Sequence, residues 1–173
     1  MGIGQPGFLL AQLGAHAASQ FAEQLKLIDL TPPDAGILRL LRMSPGLSQQ
    51  ELASRLGIHP SRLVALDNLE KRGFVERRPN PVDRRLYSLH LTNDGVSALE
   101  RVGKVAREHQ DALLSALSAD ERKTLGSLLL RVADHQGLTP GVHPGYQQMG
   151  TAMPRATREV EEDGQGPMRK LQT

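Results

Sequence analysis

The chain has 173 residues, a formal net charge of +2 and no cysteine. Without cysteine there are no disulfides, thiolate nucleophiles or cysteine zinc sites, and no apolar run is long enough to span a bilayer. No basic residue precedes the first apolar stretch, so the sequence predicts no secretory signal and we expect a cytoplasmic protein. A charge of +2 is too small to indicate a nucleic-acid partner, so the distribution of charge must be considered.

The first predicted element is an amphipathic helix over residues 7–28, where apolar side chains recur at helical spacing. Thr31 followed by Pro32 is typical of a helix start and predicts a second helix that ends near Ser44. The spacing of Ser48 and Glu51 is that of a capping box, which predicts a short helix through residue 56.

A further helix is predicted to open at His59 and to run to about Arg72, where Gly73 ends it. The period then changes from 3.6 to 2, which predicts a two-stranded hairpin whose tip carries RRPNPVDRR, residues 77–85. After the hairpin, Thr92 is predicted to cap a long helix over residues 93–116.

A second capping box, Ser118 with Glu121, predicts a last helix through about residue 135. The order of elements predicts a mainly α protein, with a winged helix-turn-helix at 33–91 between flanking helical segments at 1–32 and 92–136. The final 37 residues, 137–173, hold six glycines and four prolines, and we expect this tail to be disordered.

The start of the helix at residue 59 has the residue types of a helix that reads bases in a DNA major groove. His59, Ser61, Arg62 and Ala65 lie near its N-terminus, the part that reaches base edges. The alternative interpretation makes Ser61 a helix cap and Arg62 a solvated surface charge.

The hairpin carries a dense positive charge. Between residues 71 and 85 there are six lysines and arginines against two acids, a local net charge of +4. Such a cluster favours phosphate contacts, and Pro79 and Pro81 stiffen the loop that presents it. We assign Arg84 or Arg85 to a minor groove and give Asp83 the role of holding an arginine by an ion pair. The predicted contacts of the hairpin with DNA are Arg77, Arg78, Asp83, Arg84 and Arg85. The alternative is a solvated, charged hairpin tip.

Residues 8–136 resemble the MarR family of bacterial transcriptional regulators. The most specific part of the resemblance is NPVDRR, followed by a strand and LTNDG. The resemblance implies that the first and the last two helices form a homodimer, and that each winged domain binds half of a palindromic operator in double-stranded DNA. It also implies that Arg84 enters the minor groove, and that His59, Pro60, Ser61 and Arg62 begin the recognition helix.

The recognition helix departs from the family pattern because it is one residue shorter. Leu63, Leu66 and Leu69 are spaced by three throughout, and Asp67 stands where an apolar residue is expected. We therefore expect the C-terminal half of this helix to be tightened or rotated.

The resemblance further implies a cleft for a small aromatic or phenolic effector, between the dimer helices and the winged domains. The candidate residues are Phe8, Gln12, His16, Leu38, Leu41 and Arg42. The alternative for each is core packing.

The sequence predicts no enzyme, cofactor or metal site, since it has no nucleophile–base pair, paired carboxylates or ligand cluster. The leading hypothesis is a dimeric, sequence-specific DNA-binding repressor that a small aromatic ligand releases. The alternative is a winged-helix module for protein–protein contacts without specific DNA binding. Added salt discriminates between the two, because it weakens phosphate contacts far more than apolar ones.

Overall fold

A computed structural model describes residues 4–80 and 86–138, except for the side chain of Arg62. This part of the chain is mainly helical and contains one antiparallel two-stranded sheet. The elements in chain order are α1 (Pro6–Lys26), α2 (Pro32–Met43), α3 (Gln49–Leu56), a 3₁₀ helix (Pro60–Arg62), α4 (Val64–Lys71), β1 (Val75–Pro79), β2 (Tyr87–Leu91), α5 (Asn93–Leu113) and α6 (Ala119–His135).

The predicted helix caps are confirmed. The Thr31 side chain caps α2, and both predicted capping boxes form reciprocal hydrogen bonds. In α3 the Glu51 backbone N–H donates to Ser48 Oγ (3.2 Å) while the Ser48 N–H donates to Glu51 Oε2 (2.7 Å). Ser118 and Glu121 repeat this arrangement at α6. Each box supplies acceptors to N–H groups that a helix start leaves unpaired.

The two capping carboxylates make stability depend on pH. A hydrogen bond from the Ser48 backbone N–H lowers the pKa of Glu51 below its ordinary value of 4.5, and Ser118 does the same for Glu121. A lowered folded-state pKa stabilises the fold above pH 4.5, and this contribution is lost as pH falls through the folded value. We expect Glu51→Gln with Glu121→Gln to flatten this part of the pH dependence, because glutamine keeps the box but cannot titrate. Chemical denaturation between pH 7 and about 3 measures it; parallel curves for both proteins would count against this explanation.

The core lies between α2, α3, α4, the sheet and the first half of α5. In α5 the buried residues are Gly95, Ala98 and Val102, while α1 contributes Leu25 and α6 contributes none. The fully buried large side chains are Leu25, Leu30, Ile37, Leu38, Leu41, Leu52, Leu56, Leu66, Leu69, Val75 and Leu89. Burial of each such side chain stabilises the fold by about 1.5–3 kcal/mol, and this single core joins the winged region to the end of α1 and the first half of α5.

The hairpin has the predicted strands. Val75 pairs with Leu91 and Arg77 with Leu89. Leu47 adds a bridge to Leu89, which ties the start of α3 to the sheet. The buried side chains Val75 and Leu89 lie near the base of the hairpin, so its base is anchored in the core.

The start of α5 packs directly on the end of α4. Thr92 Oγ1 donates to the Gly73 carbonyl (2.6 Å) and accepts from the Gly95 N–H (3.0 Å), while the Thr92 N–H donates to the Phe74 carbonyl (3.1 Å). A Cβ on Gly95 would stand 2.0 Å from the Phe74 carbonyl oxygen. Residue 95 must therefore be glycine for this junction to close.

Apolar side chains are exposed at the two ends of the described chain. In α1 they are Phe8, Leu9, Leu10 and Leu13, and in α6 they are Leu128, Leu129, Leu130 and Val132. Beyond α6, the predicted disordered tail lies outside the described residues from residue 139 onward. In the part of the chain that the structure covers, every helix is too short or too polar to traverse a bilayer.

Candidate nucleic-acid interface

The turn between α3 and α4 is built from a left-handed glycine and a histidine cap. Gly57 ends α3 with φ +68°, a conformation that costs glycine little. The Ser61 backbone N–H donates to His59 Nδ1 (3.3 Å), and Ser61 Oγ lies 2.8 Å from the same nitrogen. His59 therefore opens a helix as predicted, and the helix is a single 3₁₀ turn over Pro60–Arg62.

The prediction of one continuous helix from residue 59 to about residue 72 is wrong. The chain breaks at Leu63 (φ −79°, ψ +42°), and α4 begins only at Val64. The Leu66 N–H donates to the Leu63 carbonyl (2.9 Å), a three-residue step that matches the leucine spacing and buries both side chains. The predicted tightening exists, but it lies at the N-terminal end of the helix rather than in its C-terminal half.

Of the predicted base-reading residues, Pro60, Ser61 and Arg62 form the 3₁₀ turn, His59 caps this turn, and Ala65 lies on α4. His59 and Ser61 are exposed, and Pro60 is half-buried. His59 Nδ1 and Ser61 Oγ are already hydrogen-bond partners of each other. The Arg62 side chain lies outside the described part, and Ala65 is half-buried. Contact of these residues with DNA stays a prediction.

Arg77 joins the hairpin to both helices of the helix-turn-helix. Its Nε donates to Glu70 Oε2 (2.8 Å), its Nη2 to Asp67 Oδ1 (3.3 Å) and its Nη1 to Gln49 Oε1 (2.9 Å). Gln49 Nε2 in turn donates to the Pro60 carbonyl (3.3 Å). We call Arg77, Gln49, Asp67 and Glu70 the Arg77 network.

The Arg77 network adds a positioning role to the DNA contact expected for this arginine. Its side chain is only 28% exposed, and its donors point to Asp67, Glu70 and Gln49. The guanidinium therefore holds β1 against α4 and neutralises two carboxylates on the side of α4 that faces the hairpin. These contacts give Arg77 a positioning role, and its direct contact with DNA stays a prediction.

Arg78 differs from its neighbour. Its Nε donates to Glu76 Oε1 (3.0 Å) within the same strand, and its side chain remains 58% exposed. Such an exposed pair is weak, so it leaves Arg78 available to a phosphate, and the contact of Arg78 with DNA stays a prediction.

The tip of the hairpin, residues 81–85, lies outside the described residues, and with it Asp83, Arg84 and Arg85. The strands on either side fix the two points from which the tip leaves, because the Asn80 N–H donates to the Leu86 carbonyl (2.9 Å). The minor-groove role of Arg84 or Arg85 and the ion pair of Asp83 stay predictions.

The sequence reasoning missed an exposed line of side chains on α4. Val64, Asn68 and Lys71 are exposed, while Leu66 and Leu69 on the opposite side are fully buried. We call Val64, Asn68 and Lys71 the α4 stripe. A helical projection begun at residue 64 would have found the stripe, but no local sequence signal indicates that the helix restarts there.

The predicted effector residues differ in their exposure. Leu38 and Leu41 are 0% and 1% exposed and pack in the core, as the alternative interpretation has it, and their place in a ligand cleft stays a prediction. Both point to the inner side of α2, where they pack with the other buried leucines. Phe8, Gln12, His16 and Arg42 are exposed, and their role stays a prediction. Among the described residues no cluster of three His, Asp or Glu side chains could hold a metal ion.

Comparison with known proteins gives concordant results. Residues 28–86 match the model of the MarR family. A protein of Thauera aromatica assigned to transcriptional regulation of the hcr operon is 36% identical over 139 residues, which is 79% of this chain and 84% of that protein.

Solved structures agree with this assignment. The transcriptional repressor CouR, bound to a 23-mer DNA duplex, is 35% identical with a TM-score of 0.66 over 77% of this chain and 98% of CouR. The Mycobacterium tuberculosis MarR family protein Rv2887, in complex with salicylic acid, is 29% identical with a TM-score of 0.62 over 74% of this chain and 96% of Rv2887. On its winged helix-turn-helix and on these similarities, the chain belongs to the MarR family of transcriptional regulators.

Proposed function

We propose that this protein is a homodimeric repressor that binds a palindromic operator in double-stranded DNA. The observation that carries the proposal is the joining of a cationic hairpin to the recognition helix α4 by the Arg77 network. This arrangement fixes two DNA-binding elements relative to each other, one for each groove. The similarity to CouR, whose solved structure includes a 23-mer duplex, supports the same use here.

The exposed apolar side chains support the dimer. Phe8 is 56% exposed and Leu13 54% at one end of the chain, and Leu130 is 65% exposed at the other. Exposed apolar helix faces of this kind are normally covered, and a two-fold partner would cover α1 and α6 with the same residues on both subunits. The two winged domains would then stand about one DNA turn apart, ~34 Å.

The effector proposal is a small aromatic anion. It rests on Rv2887, whose solved structure contains salicylic acid. In this chain the exposed candidates are Phe8, Gln12, His16 and Arg42, of which Arg42 can pair with a carboxylate and Phe8 can pack on a ring. We place the protein in the cytoplasm, where it meets DNA, and assign it no enzymatic reaction.

Arg84→Ala tests the proposal. Loss of one minor-groove arginine should lower affinity for duplex DNA from the protein's own promoter region about tenfold, with little change in melting temperature. The plot of log Kobs against log salt concentration should become less steep, by the amount expected for the loss of about one phosphate contact. Fluorescence anisotropy measures both quantities.

The matched control is Arg39→Ala, which removes the same charge from an exposed position on α2, outside the surfaces proposed for DNA and for the dimer. We expect it to leave the affinity unchanged. Equal effects of the two substitutions would show that only overall charge matters, and would contradict a specific role for the hairpin tip.

A further inference from the structure

Because the helix breaks at Leu63, the side of α4 that faces solvent does not follow from the 3₁₀ turn before it. Because α4 restarts at Val64, its exposed side is set by its own buried residues, Leu66 and Leu69, which are both 0% exposed. The α4 stripe lies opposite these anchors, at positions i, i+4 and i+7, and so points away from the core.

Two members of the α4 stripe are free to meet a ligand. Val64 is 72% exposed, the largest exposure of any valine in the described part of the chain. The Asn68 amide makes no side-chain hydrogen bond with any described residue. Their neighbour Asp67, by contrast, is held by Arg77 (3.3 Å), which keeps a carboxylate from repelling DNA beside them.

The charges around the stripe favour a polyanion. Lys71 ends it and Arg72 stands on the adjoining turn, while the nearby carboxylates Asp67 and Glu70 are paired with Arg77. Asp34, which lines the same cleft as the stripe, is 2% exposed and accepts a hydrogen bond from the Thr31 hydroxyl (2.7 Å). A single exposed valine on a protein surface is common and indicates little. Val64, however, lies beside the Asn68 amide, which is unpaired among the described residues, and beside the cations, on the side of α4 opposite the buried Leu66 and Leu69.

Resting on the proposed function, we propose that Val64 and Asn68 read base edges in the major groove of the operator. The Val64 methyl groups match the C5 methyl of thymine, and the Asn68 amide, with one acceptor and two donors, matches N6 and N7 of adenine. The two residues are about one helical turn apart, about 6 Å along the axis of α4. Base pairs are stacked about 3.4 Å apart along the duplex, so the two side chains reach base pairs that are no more than about two positions apart. Each half-site therefore contains a thymine and an adenine at this spacing.

Base analogues test this assignment directly. Duplexes of about 24 base pairs, long enough for two half-sites, are selected from a random pool with the full chain. Each thymine is then replaced by deoxyuracil, which lacks only the methyl group, and each adenine by 7-deazaadenine, which lacks N7. We expect one thymine position in each half-site whose replacement weakens wild-type binding about fourfold. We also expect one adenine position in each half-site whose replacement weakens it about tenfold.

The variants assign each effect to a side chain. Val64→Ser should bind the thymine and uracil duplexes equally while it keeps the 7-deazaadenine effect, and Asn68→Ala should show the reverse. Leu27→Ser, which replaces another exposed apolar side chain, 86% exposed and outside the α4 stripe, should keep both effects. Melting curves confirm that each variant is folded.

The outcomes separate the two proposals. If the wild type selects a sequence but Val64→Ser and Asn68→Ala keep both analogue effects, the reading assignment is overturned and the proposed function stands. If the wild type binds no selected duplex more tightly than a random one at low salt, the proposed function itself fails.

Discussion

Replacing Gly95 with alanine is expected to lower the free energy of unfolding by about 3 kcal/mol. The new Cβ would stand 2.0 Å from the Phe74 carbonyl oxygen, and this atom belongs to the backbone, so no side-chain rotation can make room. The junction must open, which strains the bonds from Thr92 to Gly73 and Phe74. Denaturant unfolding at matched protein concentration measures the loss.

Gly103→Ala is the control in the same helix. Its Cβ would meet only the Arg107 side chain at 3.5 Å, an ordinary contact. Alanine is also the better helix former, so this variant should be as stable as the wild type or more stable by about 0.5–1 kcal/mol. If Gly95→Ala were equally harmless, the packing of α5 on residue 74 would be wrong.

Arg77→Ala is expected to lower operator affinity by about 10- to 100-fold while it costs only about 1 kcal/mol of stability. Removal of the guanidinium leaves Glu70 and Asp67 unneutralised on α4 and releases β1 from Gln49. The charge effect repels phosphate, and the lost hydrogen bonds let the hairpin move relative to the recognition helix. Anisotropy titrations and thermal melts separate affinity from stability.

Arg78→Ala provides the comparison, since it removes the same charge from the next residue in the strand. Arg78 pairs only with Glu76 among the described residues, so its loss leaves the Arg77 network intact. We expect an effect several-fold smaller, of the size of one phosphate contact. An Arg77→Ala effect no larger than that of Arg78→Ala would refute the positioning role.

The helix starts and the hairpin could be predicted because their causes are local. The Ser48–Glu51 and Ser118–Glu121 boxes each span three residues, and the alternation after Gly73 is visible in the letters themselves. The break at Leu63 was only half predictable. The leucine spacing of three indicated a tighter helix, but not the end at which it would tighten.

The site was harder to predict because its contacts are tertiary. Arg77 reaches partners 7, 10 and 28 residues away, and sequence reasoning treated it as one more cation on the hairpin. The same limit applies to Leu38 and Leu41. The periodicity of α2 identifies its apolar side, but only the packed structure shows that these two side chains are buried in the core.

The salt dependence of DNA binding by the full chain tests the central claim most directly. A protein that neutralises phosphates through a cationic hairpin and a recognition helix should lose about 10³-fold or more in affinity for promoter duplex between 50 and 200 mM salt. Affinity that stays constant over this range, or no binding at the lowest salt, would contradict the account.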